Sequence, residues 1–496
     1  MLNDAEASQH LYERLAGEVL GQIQAGVLRP GDRLPSVRRV SRQKTLSVTT
    51  VRQAYQTLED RGLIEARPQS GYYVRWRKPK EQSALEADRA GAAVEPQCVQ
   101  LQDLAGRVRD DASRPNLVQF GAAVPAPDLI PGARLNNLLA RVARSGRVPA
   151  HLLGTAQGCR ELRVQVARRA YLAGCGLTAD DVFITNGCTE ALYLALKAVC
   201  EPGDLVAVES PTYFGILQVI EALGLRVLEI PCDPTDGLDL DALGSALARH
   251  PVRAAVVVTN FSNPLGACMP DPNKRALVRM LADREIPLVE DDLYGELHFG
   301  DRQPSVAKSF DKLGGVMLCA SYSKSLSPSF RVGWLTPGRW ADKVERLKAA
   351  LNLFSPAPPQ LAVAGFLEGG GFDAVLRRQR RAYALRLAKM ADAVLRFFPE
   401  GTRVSCPRGG FVLWVQMPEA VDSFELYRRG LAQGITLAPG YLFSAGPRFR
   451  NYIRLNAAML SADTEWAVKR LGEAACGLSK TCHPITLPPS PQRGNP

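Results

Sequence analysis

The sequence has few histidines and no cysteine spacing typical of a metal site, and it lacks a long apolar run. Its 11 cysteines include no Cys-x-x-Cys pair and its 5 histidines do not cluster beside them, which argues against a zinc site. No apolar stretch reaches the roughly 18 residues that a transmembrane helix needs, so no membrane span is predicted. The N-terminus carries acidic residues where a secretory signal has a basic start, which predicts a cytoplasmic protein.

The composition is that of a soluble globular protein with an uneven distribution of charge. Hydrophobic residues make up 46% of the chain and charged residues 22%, and the length of 496 residues predicts more than one domain. The net charge is +11, and the first 80 residues hold 14 Lys or Arg against 8 Asp or Glu, an excess of +6. This basic N-terminal part favours a polyanionic partner such as nucleic acid.

Changes in residue pattern divide the chain into four segments. Residues 1–76 have helical apolar spacing, whereas residues 77–115 are polar and alanine-rich, which predicts a flexible linker. Across residues 116–476, short β-branched runs alternate with longer helical runs, a pattern that predicts an α/β domain with a mainly parallel sheet. Residues 477–496 are rich in proline and predict a disordered tail.

Three helices and a hairpin are predicted in the N-terminal segment. An amphipathic helix is expected over residues 11–27, and Ser36 and Ser47 are suited to cap two shorter helices. The stretch LIEARPQSGYYV, residues 63–74, predicts two short strands around a turn at residues 69–71. Two short helices joined by a tight turn can place a helix N-terminus in the major groove of DNA, with the hairpin as a wing.

The second of these short helices begins with small polar and basic residues that can meet phosphates or base edges. An ordinary three-helix domain with a solvated basic face also fits these features alone. The order of GVLRPGDRLPSVRRV, LSVTTVRQAYQTLEDRGLIEA and RPQSGYYV resembles the GntR-type winged helix-turn-helix of bacterial repressors and activators. Contact with double-stranded DNA is then implied for Arg33, Ser47, Thr49, Thr50, Arg52, Ser70 and Gly71. Val48 stands where many family members have an arginine, so the resemblance leaves the operator sequence open.

A lysine in the C-terminal part, Lys324, follows a predicted strand in the segment ASYSKSLSPSFRVGW. Ligands of α/β sheets bind at the carboxyl ends of the strands. A desolvated lysine there can form a Schiff base with an aldehyde, and Ser321, Ser323 and Arg331 are placed to hold a phosphate beside it. A surface lysine in a polar loop is the alternative for this segment taken alone.

Two other predicted strands end in residues that suit the same ligand. In DVFITNGCTEAL, a strand runs through Gly187 into a helix whose first amides belong to Cys188 and Thr189, which is an anion-binding arrangement. Asp291 follows an apolar strand and needs a partner if it is buried. A pyridinium nitrogen supplies such a partner, and the carboxylate keeps that nitrogen protonated.

Four further residues complete this set, and most of them have a structural alternative. Tyr294 and Asn263 are placed to bind a ring hydroxyl, although Asn263 also begins an Asn-Pro turn. Tyr213 can stack on a pyridine ring or belong to the core. Arg454 presents a fork suited to a substrate carboxylate, and a structural ion pair is its alternative.

The order of these residues resembles that of fold-type I pyridoxal-phosphate enzymes, specifically the class I aminotransferases. The resemblance implies a large, mainly parallel sheet with a smaller α/β domain, and pyridoxal 5'-phosphate (PLP) held as a Schiff base on Lys324. It further implies roles at the pyridine nitrogen for Asp291, at the ring oxygen for Tyr294 and Asn263, on the ring face for Tyr213, at the phosphate for Gly187, Cys188, Thr189, Ser321 and Arg331, and at the amino-acid carboxylate for Arg454. The pair Leu153-Gly154 departs from the usual Tyr-Gly of these enzymes, which removes one hydroxyl contact to the cofactor.

A GntR-type winged helix joined by a linker to an aminotransferase-like body is the architecture of the MocR/GabR subfamily. The resemblance implies a PLP-dependent transcriptional regulator that responds to an amino acid, an amine or PLP itself. It also implies a homodimer, with winged helices exchanged between subunits as a further arrangement. An active aminotransferase of amino acids is the second hypothesis, because every catalytic position is present. A cofactor-binding scaffold without either role is the third.

Overall fold

The computed structural model describes residues 2–24, 27–28, 32–60, 63–67, 70–74, 84–85, 95–99, 102–112, 114–144 and 154–479. The chain folds as two compact units, residues 1–82 and residues 83–496. Several predicted features lie outside the described residues, namely the helix end at Gly26, the turn at Pro30 and Gly31, the residue Leu153 and the tail beyond residue 479. No helix among the described residues is both long and apolar enough to cross a membrane.

The described residues of the first unit form three helices and one hairpin, as predicted. Its elements are α1 (Leu2–Gln24), α2 (Val37–Lys44), α3 (Val48–Asp60), β1 (Ile64–Arg67) and β2 (Gly71–Val74). The two serine caps are confirmed, because Ser36 Oγ accepts from the amide of Arg39 and Ser47 Oγ accepts from the amide of Thr50 at 3.0 Å. The strands β1 and β2 are antiparallel, with Ile64 opposite Val74. Helix α1 begins earlier than the predicted residue 11.

A small core holds this unit together. Leu15 of α1 and Val51 of α3 are buried beside the ring of Tyr55, and Ile64 of β1 closes the cluster. Each such side chain contributes about 1.5–3 kcal/mol through removal of its apolar surface from water. The Tyr55 hydroxyl donates to the carbonyl of Pro35 at 2.9 Å, which ties α3 to the segment before α2. The start of α3 is therefore held firmly at the surface of the unit.

The second unit is built from two main sheets and a set of covering helices. Its strands are β3 (Gln97–Cys98), β4 (Val118–Gln119), β5 (Phe183–Thr185), β6 (Leu205–Ser210), β7 (Arg226–Asp233), β8 (Gly237–Leu238), β9 (Val252–Val257), β10 (Leu288–Asp291), β11 (Val316–Ser321), β12 (Gly333–Thr336), β13 (Arg403–Val404), β14 (Val412–Gln416), β15 (Ile435–Thr436), β16 (Ala438–Pro439) and β17 (Tyr452–Asn456). Its helices are α4 (Gln102–Ala112), α5 (Gly132–Arg144), α6 (Arg160–Leu172), α7 (Cys188–Val199), α8 (Phe214–Ala222), α9 (Leu240–Arg249), α10 (Asp271–Ala282), α11 (Ala341–Asn352), α12 (Ala357–Glu368), α13 (Phe372–Phe397), α14 (Ser423–Ala432) and α15 (Glu465–Cys476).

The large sheet confirms the predicted mainly parallel architecture. Its strand order is β3-β7-β6-β9-β10-β11-β12-β5, with β8 beside β7. The strands β7, β6, β9, β10 and β11 are parallel, whereas β12 is antiparallel to both β11 and β5. All residues of β6 and β11 are buried, as expected for strands covered on both faces. The carboxyl ends of β9, β10 and β11 therefore meet at one edge.

A smaller sheet of four strands, in the order β13-β14-β17-β16, is antiparallel and packs near α13 and α14. Arg454 lies on β17 opposite Trp414 of β14. Beside this sheet, the short parallel pair β15 and β4 brings residues 118–119 against residues 435–436. The chain that follows β4 leads directly to the site.

The predicted linker at residues 77–115 is too long at its C-terminal end. β3 pairs with β7 at the edge of the large sheet, and α4 packs against β15. Ala105 and Val108 of α4 are buried, and the hydroxyl of Tyr427 donates to the carboxylate of Asp111. Helix α4 has few apolar residues and lies in an alanine-rich stretch, so the sequence pattern alone did not reveal it.

Candidate functional site

Lys324 lies in the loop that follows β11, at the carboxyl edge of the large sheet. Its Nζ donates to the carbonyl of Ala123 at 2.5 Å. Burial, followed by the charge of Arg454, lowers the pKa of Lys324 to about 8, and the carboxylate of Asp291 opposes this shift. A lysine with such a pKa supplies a neutral amine, the form that attacks an aldehyde, closer to neutral pH than an exposed lysine does.

Asp291 ends β10, beside β11 in parallel register. Its side chain is buried at 3% exposure, and the Sγ of Cys188 lies 3.4 Å from its Oδ1. Burial raises the pKa of Asp291 to about 6, opposed by the Cys188 thiol and by the charge of Lys324. A carboxylate in this position is costly unless it meets a cationic or hydrogen-bonding partner.

The phenol of Tyr294 and the amide of Asn263 lie at the same edge. Tyr294 is 2% exposed, and its hydroxyl has no hydrogen-bond partner among the described residues. Burial also raises the pKa of this phenol, so it stays protonated and able to donate. The Oδ1 of Asn263 accepts from Nη1 of Arg454 at 3.3 Å. Both side chains can therefore meet a ligand oxygen placed between them.

Arg454 is a buried guanidinium, exposed by only 1%. It donates to the carbonyl of Gly121 and to Asn263, and its Nε has no partner among the described residues. Within the described part of the chain, no carboxylate pairs with it, so the structural ion pair considered from the sequence does not form there. A buried cation in this state is suited to accept an anionic ligand.

An anion cradle lies at the start of α7. Gly187 caps the helix with φ +83°, and a Cβ there would lie 2.3 Å from Nη2 of Arg331. Arg331 donates to the carbonyl of Asn186 at 3.0 Å and to the Ser323 hydroxyl at 3.4 Å. The Ser321 hydroxyl accepts from the amide of Ser323 at 3.3 Å. Helix amides, two hydroxyls and one guanidinium therefore converge, as phosphate recognition requires.

The first two residues of α7 have different surroundings. Thr189 is exposed in the first turn of this helix. The thiol of Cys188 points to Asp291 instead of the cradle, so only its backbone amide belongs with the phosphate residues. The sequence could not distinguish these orientations, because the direction of a first-turn side chain depends on what packs against it.

Tyr213 stands at the start of α8, after the end of β6. A Cβ added at Gly215 would lie 2.4 Å from the Tyr213 ring, so the glycine gives the ring its position. The ring centroid of Phe214 lies 4.9 Å away.

A buried ion pair supports the cradle, and sequence reasoning did not identify it. Glu190 accepts from the backbone amide of Asn186 at 3.0 Å and from its side-chain amide at 2.6 Å. Lys348 of α11, which is fully buried, lies 2.8 Å from the other carboxylate oxygen of Glu190. Only long-range packing brings Lys348 to this position. Asn456, which follows Arg454 on β17, was missed for the same reason.

The residues predicted to contact DNA lie on the first unit, and most are exposed. The exposed ones are Arg33, Ser47, Thr49, Arg52 and Gly71. Ser70 is half-buried, with its hydroxyl 2.6 Å from that of Tyr73. Thr50 is only 6% exposed and its hydroxyl lies 2.7 Å from that of Ser47, so its side chain supports the helix start instead of facing solvent. Val48 is 45% exposed.

The arrangement fits PLP on grounds of geometry. Buried Tyr294 and Arg454 each offer a polar atom that has no partner in the described part of the chain, and Gly187 leaves room beside Arg331 that a Cβ would fill. Lys324, Asp291 and the cradle supply an amine, a carboxylate and anion donors at one sheet edge. Within the described residues, no group of His, Cys, Asp or Glu side chains is arranged to hold a metal ion.

Comparison with known proteins identifies both units. Residues 11–74 match the profile of bacterial regulatory proteins of the gntR family, and residues 133–471 match that of class I and II aminotransferases. The chain is 38% identical over 465 residues to the uncharacterized HTH-type transcriptional regulator YdcR of Escherichia coli, covering 93% of this chain and 98% of YdcR. It is 30% identical to the HTH-type transcriptional regulator TauR of Rhodobacter capsulatus, covering 90% of this chain and 92% of TauR.

Solved structures resemble the second unit. LysN, the alpha-aminoadipate aminotransferase of Thermus thermophilus complexed with N-(5'-phosphopyridoxyl)-L-leucine, superposes with a TM-score of 0.70 and 31% identity over 75% of this chain and 96% of LysN. The Pyrococcus horikoshii kynurenine aminotransferase superposes with a TM-score of 0.70 and 27% identity over 76% of this chain and 95% of that protein. The chain therefore belongs to the class I and II aminotransferase family and carries a gntR-type winged helix-turn-helix, the combination found in the MocR/GabR subfamily.

Proposed function

We propose that this protein is a PLP-dependent, DNA-binding transcriptional regulator whose second unit senses an amino acid, an amine or PLP itself. The observation that carries the proposal is the presence, in one chain, of an exposed gntR-type helix N-terminus and an aminotransferase-like site. That site offers a lysine of lowered pKa and a buried guanidinium without an anionic partner among the described residues. A DNA-binding domain fused to such a site can couple a small ligand to DNA affinity.

PLP, when bound, supplies an aldehyde and a pyridinium ring that withdraws electrons from an attached amine. In this proposal Lys324 would hold the aldehyde, Asp291 would meet the ring nitrogen, and Tyr294 and Asn263 would bind the ring oxygen. Tyr213 would cover the ring face. The phosphate would be held by the amides of Gly187, Cys188 and Thr189 and by the side chains of Thr189, Ser321, Ser323 and Arg331.

Arg454 selects the effector in this proposal. Its guanidinium can bind a carboxylate in bidentate fashion, because its Nε has no hydrogen-bond partner and no carboxylate pairs with it among the described residues. Lys324 Nζ then accepts or returns the proton of the bound amine. Burial of Arg454 and Tyr294 keeps water away from these groups and strengthens their electrostatic interactions.

The DNA-binding surface is the N-terminal end of α3 with the neighbouring wing. Thr49 and Arg52 lie exposed in the first turns of α3, where backbone amides also favour a phosphate. Arg33 lies against the wing, because a Cβ at Gly71 would be 3.5 Å from its Nε. We assign Thr50 to the support of this surface and not to the contact itself.

A homodimer is part of the proposal. Leu351 and Leu353 are exposed by 51% and 63%, close in sequence to Ser355. Ser355 lines a cavity of about 370 Å³ together with Asn186 and Arg331 of the cradle. We expect a second copy of the chain to cover these exposed leucines. Light scattering checks this, since twice the mass of the chain is expected and a monomer contradicts it.

Purified full-length protein loaded with PLP tests the cofactor assignment. We expect visible absorbance from the bound cofactor, and we expect Lys324→Ala to lose it. Lys343→Ala, at an exposed position of α11, is the matched control and should keep the band. The same preparation should retard upstream DNA, with affinity that falls steeply as salt rises. A protein that binds no DNA at low salt contradicts the regulator.

An active aminotransferase is the second candidate, favoured by the presence of Lys324, Asp291 and Arg454 at one site. Multiple turnovers with an amino-acid and keto-acid pair, measured on the same preparation, would support it. Fast turnover without DNA binding would replace the regulator with this second function. Leu153, at the position where these enzymes usually have a tyrosine, weakens the expectation of fast turnover.

A further inference from the structure

Five consecutive backbone carbonyls, those of residues 120–124, all accept hydrogen bonds from the residues of the site or their neighbour Asn456. The Nζ of Lys324 donates to Ala123, and Arg454 donates to Gly121. The remaining three carbonyls, of Phe120, Ala122 and Val124, are bound by Asn456 at 2.8, 2.7 and 2.9 Å. The two cations of the site and one asparagine therefore share one stretch of backbone.

Asn456 is fully buried, and every polar atom of its side chain is used. Both hydrogens of Nδ2 go to the carbonyls of Ala122 and Val124. Its Oδ1 accepts from the amide of Ala458 at 3.0 Å, which caps the short turn after β17. An asparagine with all three bonds made has one orientation only, and its backbone amide adds a fourth bond to the same segment.

The segment has little freedom on its other side. The amide of Gly121 donates to the hydroxyl of Thr436 at 3.0 Å. A Cβ at Gly121 would meet the carbonyl oxygen of Leu437 at 3.1 Å, so the backbone lies close against the neighbouring chain. Residues 120–124 are thus held between β15 on one side and Asn456 on the other.

We propose that Asn456 is a positioning residue, which holds residues 120–124 so that the Ala123 and Gly121 carbonyls orient Lys324 and Arg454. Each carbonyl is a neutral acceptor for a cation and fixes the direction of a flexible side chain. The Ala123 oxygen also favours the protonated form of Lys324 and so opposes the effect of burial on the amine. This inference rests on the proposed function only in taking these two cations as the ligand-binding groups.

Two substitutions separate this role from simple capping. Asn456→Ala removes all side-chain bonds, whereas Asn456→Ser keeps an oxygen that can cap Ala458 but cannot reach both carbonyls. If positioning is the role, the two variants behave alike. If capping is the only role, the serine variant behaves like the wild type.

The test uses the full-length protein stripped of PLP and compared by hydrogen exchange. In both variants we expect amides within residues 118–124 to exchange about tenfold faster than in the wild type, as the loss of two hydrogen bonds implies. Amides of β6 serve as the internal reference and should not change. Should the alanine variant fail to fold, the serine variant carries the comparison.

A second measurement reports on the protonation of the Lys324 amine. The rate of PLP incorporation is measured as a function of pH by the increase in visible absorbance. Loss of a well-placed Ala123 acceptor should move the midpoint to lower pH in both variants, because the protonated amine loses a partner. Wild-type exchange and an unchanged midpoint in Asn456→Ser overturn the inference. Failure of the wild type to take up PLP would instead refute the proposed function and leave the exchange result standing.

Discussion

The two units of this chain present their functional residues in opposite ways. In the first unit most candidate DNA contacts are exposed and lie within two short stretches, residues 47–52 and 70–71, with Arg33 beside them. In the second unit the candidate ligand groups are mostly buried and come from positions as distant as Gly187 and Arg454. The first surface follows from local structure, whereas the second exists only when the large and small sheets are both formed.

The difference has an energetic consequence. Exposed cations such as Arg52 are well hydrated, and their contacts with DNA are weakened by salt. Buried groups such as Asp291 and Arg454 lose their hydration when the protein folds. A complementary ligand therefore gains its interaction with them without any further desolvation of these groups. Substitution of a buried residue in the second unit should therefore cause a larger fold-change in ligand affinity than substitution of an exposed residue in the first unit causes in DNA affinity.

The largest effect is expected at Arg454. Arg454→Ala should raise the amino-acid concentration needed for a spectral change of the PLP-loaded protein by about 30-fold or more, since truncation of one side of a buried charge pair costs about 2 kcal/mol or more. A titration followed by visible absorbance measures it. Arg450→Ala, at an exposed position of the same sheet region, is the control and should respond as the wild type. If both variants needed the same amino-acid concentration for the spectral change, the predicted difference between buried and exposed groups would be wrong.

An intermediate effect is expected at Asp291, and it depends on pH. Its folded-state pKa of about 6 lies above the ordinary value of 3.8, so its carboxyl favours folding below pH 3.8 and loses that contribution as pH rises through 6. In PLP-free protein, Asp291→Asn should thus be more stable than the wild type at pH 7, by at most about 3 kcal/mol. Chemical denaturation at pH 7 and pH 4 measures this.

The difference should disappear at pH 4, and PLP should reverse it at pH 7 because the pyridinium then meets the carboxylate. Asp283→Asn, whose carboxylate is 65% exposed, is the control and should change the stability little. A constant advantage for Asp291→Asn at both pH values would contradict the burial of an ionised carboxylate at this edge.

The smallest effect is expected in the first unit. Arg52→Ala should weaken DNA binding by about tenfold and reduce the slope of log affinity against log salt by about 1, since one phosphate contact is lost. Fluorescence anisotropy of labelled upstream DNA across a salt series measures both quantities. Arg284→Ala, in the second unit, should leave both unchanged. An unaltered slope in Arg52→Ala would remove this residue from the interface.

Local features were predictable from the sequence because they depend on neighbouring residues. The caps at Ser36 and Ser47 and the hairpin of residues 64–74 follow from side-chain chemistry within a few positions. The mainly parallel sheet was predictable for a related reason, since strands buried on both faces leave continuous apolar runs. Lys324 and Asp291 could then be assigned to one sheet edge, because each follows such a run.

Long-range packing was not predictable in the same way. The thiol of Cys188 turns to Asp291 only because β10 lies beside α7. Helix α4 was assigned to the linker because its stability comes from contacts such as Asp111 with Tyr427, more than 300 positions later. The bonds of Asn456 to residues 120–124 have no sequence signal at all, since their acceptors are backbone atoms.

The most direct test of the account is whether ligand occupancy at Lys324 changes DNA binding by the first unit. Affinity for labelled upstream DNA is measured for PLP-free and PLP-loaded protein, with and without amino acids, in the wild type and in Lys324→Ala. We predict that the wild-type affinity changes with at least one of these ligands, whereas the variant binds DNA with an affinity that does not change. Wild-type DNA binding that is the same in every ligand state would contradict a sensor.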